Sequence, residues 1–142
     1  MISLLPGIAS TTAALNAERV RLDIISQNIA NAQTTRGPDG QPYVRQQVVF
    51  ETVLKHQLQP GAVAAPEVRV ARVESDPRPL PTVHNPGHPD ADAAGMVRMP
   101  NVNIHEEMAD LIAASRAFEA NLAVLKNARA LALQTLNIGK RV

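Results

Sequence analysis

His84, His88, Asp90 and Asp92 fall together in the stretch HNPGHPDADAAG, and all four are residue types that hold a divalent cation. Asp90, Asp92 and Gly95 also match positions one, three and six of a calcium-binding loop. The pattern then breaks. Ala94 stands at position five and Asn101 at position twelve, where a bidentate acid is required. Pro86 and Pro89 further restrict how the four side chains could converge. A rigid loop whose Asx-type turns satisfy their own backbone is the better reading. A metal-binding or metal-stabilised binding module centred on 84–92 stands as the alternative function.

Other chemistry is sparse. There is no G-x-S-x-G, no phosphate-cradling glycine loop and no helical H-E-x-x-H. Glu106 and Glu107 are adjacent on a helical pattern and so do not face one another, and His105 beside them reads as a solvated imidazole. No enzyme and no cofactor is expected. The residues left to explain are two asparagines in SQNIANAQTTRG, Asn28 and Asn31, three apart at the end of a helical segment. Asparagine is poor inside a helix because its amide competes for backbone hydrogen bonds. Asn31, followed by polar residues, is expected to end the helix in a left-handed conformation. Asn28 borders a seam where an amide can set register between chains, and we expect it to bond to a neighbouring helix or loop.

The elements that position these residues divide into three zones. In residues 1–36, Ile8, Leu15, Leu22 and Ile29 recur every seven positions, with Ile25 on the same face and Ser10 or Thr11 as expected caps. In residues 101–142, Ile104, Leu111, Phe118, Leu125 and Ala132 form a second seven-residue column. Met108, Leu122 and Leu136 lie four residues on from its members. Asn103 with Glu106 and Glu107 reads as the start of this helix, and Gly139-Lys140 as its stop. Between them, residues 37–100 hold nearly all of the eleven prolines. There GPDGQPY reads as a turn, YVRQQVVFETVL and EVRVARV as strands, and MVRM as a short strand. DPRPLPTVHNPGHPDADAAG reads as a long ordered loop. The fold class is therefore mainly α with a small β-rich middle.

Composition narrows the role. Fourteen Lys and Arg against thirteen Asp and Glu leave a net charge of +1, which gives no basic face for nucleic acid. No apolar run spans a bilayer, and the N-terminal stretch lacks the basic n-region of a cleaved secretory signal. Cysteine is absent and only 2% of residues are aromatic, so no large aromatic-anchored core is available. A hairpin of the two helices inside one molecule would bury both apolar stripes. The second helix is longer than the first, however, and the polar middle is too small to cover the remainder. An uncovered stripe marks contact with another chain, and contacts between unlike surfaces that do not close give an open helical filament.

SQNIANAQTTRG resembles the asparagine-rich signature of the bacterial flagellar rod, hook and hook-associated protein family. GPDGQPYVRQQVVFE and the late stretch from NPGHPDADAAGMVRMPNVN through NIGK resemble its proximal-rod members, with Gln27 and Met96 as departures from the usual pattern. The resemblance implies an axial structural subunit that transmits torque. Its terminal helices would form a coiled-coil-like pair packed in a helical tube. The residues it places in subunit packing are Ile8, Leu15, Leu22, Ile25, Asn28, Ile29 and Asn31, with Ile104, Met108, Leu111, Phe118, Leu122, Leu125 and Leu136. It implies as partners other copies of the chain, other proximal and distal rod proteins, and the adaptor at the rod base and MS ring. Neither nucleic acid nor direct membrane insertion is among them. The implied location is the periplasm-spanning rod of the basal body, reached by the flagellar type III route without a cleaved signal.

Overall fold

The computed structural model describes residues 5–54 and 66–139. Two helices flank two small sheets: α1 (Leu5–Ala30), β1 (Gln46–Leu54), β2 (Pro66–Ser75), β3 (Thr82–His84), β4 (Met96–Arg98) and α2 (Ile104–Gly139). The α1 helix begins before the expected caps. Pro6 is tolerated in a first turn because the N–H it lacks would be unpaired there. Thr11 is interior, its hydroxyl donating to the Gly7 carbonyl one turn back at 2.8 Å, and the Ser10 hydroxyl donates to the Pro66 carbonyl at 2.9 Å. At the other end no residue but glycine has a positive φ among those described, so Asn31 does not close the helix in the left-handed region. Its side-chain amide instead donates to the Gln27 carbonyl at 2.9 Å, and its oxygen accepts from the Thr34 hydroxyl at 3.2 Å. The Gln27 carbonyl also accepts the Asn31 backbone N–H at 3.0 Å, so Asn31 closes the last turn with backbone and side chain together.

β1 and β2 form an antiparallel hairpin from Gln46↔Ser75 to Leu54↔Pro66, with a register shift between Val49 and Phe50 that leaves Ala71 as the extra residue. Alternation places Val48, Phe50, Val68, Val70 and Val73 on one face and the charged residues, including the Arg69–Glu51 and Arg72–Glu74 ion pairs, on the other. The first strand starts three residues later than YVRQQVVFETVL implies, because the backbone of Tyr43 and Arg45 is engaged elsewhere. The Tyr43 N–H donates to the Thr34 carbonyl at 3.0 Å, and the Arg45 N–H donates to Asn101 Oδ1 at 2.8 Å.

The proline-rich stretch is less irregular than its composition implies, since β3 lies within it and pairs antiparallel with β4 through Thr82↔Arg98 and His84↔Met96. Gly95 makes the return possible. It sits at φ +74, and a Cβ there would meet the Pro86 Cβ at 3.0 Å.

Asn103 caps α2, its Oδ1 accepting from the His105 N–H at 3.0 Å, with Glu106 and Glu107 in the first turn. The 36 residues of α2 run about 54 Å at 1.5 Å per residue. The stop expected at Gly139-Lys140 is described only as far as Gly139; Lys140 lies outside the described residues. The helices lie antiparallel: Asn28 meets Glu107, and Arg21, two turns earlier on α1, meets Asp110 further along α2. The apolar face of the hairpin lies along the other flank of α1, bringing Val68 and Val70 beside Ala17 and Val20.

Candidate assembly interface

Where the two helices and the hairpin meet, the chain buries polar groups. Glu107 is fully buried and Asn28 is 1% exposed. The Asn28 amide donates to the Gln46 carbonyl at 2.8 Å and to Glu107 Oε2 at 3.0 Å. Its oxygen accepts from the Gln46 N–H at 2.9 Å and from the Tyr43 hydroxyl at 2.8 Å. Both amide hydrogens and both lone pairs are thus committed. Asn28 acts as a single peptide group added to the outer edge of β1, and the register it sets is between elements of its own chain. None of its bonding capacity is left for another subunit.

Arg45 is the second hub. Its Nε donates to Glu107 Oε1 at 2.6 Å and its Nη1 to Asp76 Oδ2 at 3.1 Å, and its Nη2 lies 3.5 Å from Asp110. Asp76 also accepts from the Arg78 backbone and side chain, each at 2.9 Å. Burial pushes the Asp76 carboxyl up, but the hydrogen bonds from Arg78 and Arg45 outweigh it and hold the group below its ordinary value. For Tyr43, burial and then the charge of Glu107 raise the phenol above its ordinary value, so it stays a neutral donor to Asn28. The clamp therefore joins the end of α1, the start of α2 and both ends of the hairpin through charge-assisted bonds.

Away from the clamp, burial along α2 follows an alternating three-four rhythm: Glu107, Leu111, Ala114, Phe118, Asn121, Leu125, Ala128 and Ala132 are all covered or half-covered. The column expected through Leu111, Phe118 and Leu125 lies on this row, and Leu122 beside it is half-buried. Its companions are three residues on, not four, so Met108 is 51% exposed and Ile104 39%. On α1, Leu15 and Ile25 are buried and Ile8, Leu22 and Ile29 are half-buried, as is Asn31 just past its end. Of the covered helix positions that pattern reading passed over, Ile24 lies next to the expected Ile25, Asn121 is polar, and Ala17, Ala114 and Ala128 are alanines. Small residues let two helix backbones approach but give no hydrophobic signal of their own.

Counting residue for residue from the Asn28–Glu107 contact, Leu5 comes level with about residue 130 of α2. Beyond it the large apolar side chains are exposed. Leu131, Leu133, Leu136 and Ile138 are 57%, 52%, 64% and 64% exposed. Val124, Leu131 and Ile138 repeat every seven residues, each preceding a member of the 125–132–139 row and so turned about 100° from it. Leu133 and Leu136 occupy the opposite flank. A helix that is apolar on both flanks normally lies buried among others.

The loop residues singled out for metal are engaged locally. Asp90 accepts from the Thr35 hydroxyl at 2.7 Å and pairs with Arg36 at 2.5 Å. Asp92 Oδ1 accepts the N–H groups of Ala94 and Met96, each at 2.9 Å, and His88 Nδ1 accepts the Asp90 N–H at 3.1 Å. His84 is exposed on β3. Among the described residues no group of three such side chains converges, and the metal-binding alternative is not favoured. Nor is any described helix long and apolar enough to cross a membrane.

Comparison with known proteins bears on both ends. Residues 10–38 match the family described as flagella basal body rod protein, and residues 93–138 match the flagellar basal body rod FlgEFG protein C-terminal family. The chain is 44% identical over 128 residues to the flagellar basal-body rod protein FlgC of Yersinia enterocolitica, covering 90% of this chain and 92% of that one. It is 41% identical to FlgC of Borreliella burgdorferi, over 93% of each chain. Against FlgC of Bacillus subtilis the identity is 35%, over 92% of this chain and 94% of the other.

Proposed function

The chain belongs to the FlgC family of flagellar basal-body rod proteins, a family of structural subunits, and from that premise we propose how it assembles. Its terminal helices pack coiled-coil-fashion with those of neighbouring subunits to form the wall of a proximal rod, with the β-rich middle to the outside. The observation that carries this reading is the end of α2, apolar on two flanks whose large side chains stand exposed among the described residues. Two uncovered flanks call for more than one neighbour, and contacts between unlike surfaces whose rotation does not close extend as a helix. The neighbours are further copies of the chain and other rod proteins, proximal and distal, with the MS-ring adaptor at the base. Torque passes through many such contacts, each modest in energy. Export by the flagellar type III route without a cleaved signal belongs to the same reading.

The test is Leu131→Asp. An exposed leucine contributes little to the isolated chain, so its circular dichroism and thermal midpoint should match wild type. Cells carrying it should build no rod and fail to swim. Normal swimming by Leu131→Asp, and by Val124→Asp, would refute packing through the bare end.

A further inference from the structure

Asn28 starts a ladder that the chain does not finish. Its side-chain amide takes both backbone groups of Gln46, so the N–H and C=O of Gln46 point away from β2. Backbone groups alternate along a strand, and the extra residue of the hairpin, Ala71, lies in β2 and not in β1. The backbone groups of Val48 and Phe50 therefore face the same outer edge as those of Gln46. Among the described residues nothing bonds to them there. An open edge on a strand of nine residues is a template for pairing with another chain.

The edge opens on a cleft of about 360 Å³ between α1, β1 and the first turns of α2. Gln46, Gln47 and Val48 all line it. Successive strand residues point to opposite faces, so the cleft reaches the edge of β1 and not one face alone. Ile24, Ile25, Val48 and Phe50 give it an apolar floor. Of the charged groups on its walls, Glu107 has both oxygens engaged, and Arg45 is held by Glu107 and Asp76. Asp110 lies between the two arginines, 3.5 Å from Arg45 and 3.6 Å from Arg21. Arg21 is the group left over. Its contacts, 3.6 Å to Asp110 and 3.9 Å to Glu18, are both longer than a hydrogen bond, so its five N–H donors have no acceptor at bonding distance among the described residues.

We propose that the outer edge of β1 receives an extended segment of a different protein, which adds as a strand beside Val48 and Phe50. One of its side chains is apolar and rests on Ile24 and Ile25, and the second residue from it is acidic and meets Arg21. The alternating donors and acceptors of the edge select a polypeptide in extended conformation, and the guanidinium selects a carboxylate, which it can hold by two oxygens at once. The spacing fits. One helical turn separates Arg21 from Ile24 and Ile25, about 5.4 Å, against about 6.6 Å for two residues of a strand. A second copy is the poorer occupant. The acids of the hairpin and its exit, Glu51, Glu67, Glu74 and Asp76, already have partners, and β3 and β4 carry none. The cleft owes nothing to the exposed end of α2, so the test below and Leu131→Asp give independent answers.

The probe is the capped peptide Thr-Val-Thr-Glu-Thr-Val-Thr, which presents the same apolar and acidic spacing in either strand direction. Titrated into the full chain labelled with nitrogen-15, it should shift the amide signals of Val48 and Phe50 saturably and slow their hydrogen exchange at least tenfold. The same peptide with Lys in place of Glu should bind at least fivefold more weakly. Arg21→Gln, with unchanged circular dichroism, should bind the two peptides equally. No protection of Val48 and Phe50, or equal affinity of the wild-type chain for both peptides, overturns the proposal without recourse to any variant. Protection that grows with the chain's own concentration in the absence of peptide would give the edge to a second copy and overturn the assignment to a different protein.

Discussion

The two ends of α2 invert the usual assignment of residues to inside and outside. Its first turns bury a glutamate to 0% exposure against an arginine and an asparagine, while its last turns leave Leu131, Leu133, Leu136 and Ile138 more than half exposed. The first arrangement is complete within the chain, since the Asn28 amide has every hydrogen and lone pair engaged. At the other end none of the described residues completes the apolar surface. The difference teaches where specificity and association separate. Polar groups with directional demands fix how the helices and the hairpin meet in one subunit, whereas the apolar surface with few directional demands is the part available to the proposed contacts between subunits. The α1 helix reinforces the point. Its exposed positions, Thr12, Asn16, Arg19 and Asp23 among them, are chiefly polar.

The sharpest way to break the contrast is to disable the clamp. Glu107→Ala removes the acceptor of Arg45 Nε and of the Asn28 amide, leaving a buried guanidinium with only Asp76 and the more exposed Asp110. Removing one partner of a buried ion pair costs about 3–5 kcal/mol. The urea midpoint of the purified chain should fall accordingly, with the helix signal lost together with the hairpin. A loss under about 1 kcal/mol, the scale of an exposed pair, would show that the clamp does not organise the fold.

Acid probes the same cluster more gently. Burial acts to raise Asp76, and the bonds from Arg78 and Arg45 reverse that and lower it. A depressed folded value means the native state binds the proton less readily than the unfolded chain. Its stabilisation is therefore fully present above the ordinary carboxylate value of about 3.9 and is lost as pH falls through that value toward the folded one. Asp76→Asn should lower the urea midpoint at neutral pH, while flattening the acid limb below about pH 4. Parallel curves for wild type and variant across that limb would remove Asp76 from the clamp.

Much of this architecture is legible in the chain. The seven-residue column of Leu111, Phe118 and Leu125 announces the long helix, Asn103 with two acids marks its start, and the alternation of VRQQVVF announces a strand. The clamp is not, because its members lie far apart in sequence: Asn28, Arg45, Asp76 and Glu107 meet only after both helices and the hairpin are in place. Glu107 was readable as a helix-start acid, which it is, but nothing in its neighbours signals burial. A sign was nevertheless present in Asn28, whose poor helix propensity implied a partner; only the address of that partner was hidden. β3 escaped notice for another reason. Three residues between prolines carry too little pattern, and their strand exists because Gly95 turns MVR back onto them.

The finest comparison concerns which residues complete the covered row of α2. A spacing of four from Ile104 selects Met108, a large apolar residue and the obvious choice by hydrophobicity. Burial selects Glu107 instead, three residues on, and continues through Ala114, Asn121 and Ala128. The choice follows from geometry. The close approach of α1 leaves room beside Ala114, at 0% exposure, for little more than a methyl group, and Met108 is turned about 100° from Glu107 toward solvent. Met108→Ser should therefore change the stability of the isolated chain by no more than about 0.5 kcal/mol, as surface substitutions do. Burial in a core would make the same change cost at least the loss seen for large-to-small substitutions, about 2 kcal/mol or more. Urea titration of the purified variant separates the two, and the larger value would place Met108 inside the chain and return the row to the four-residue spacing.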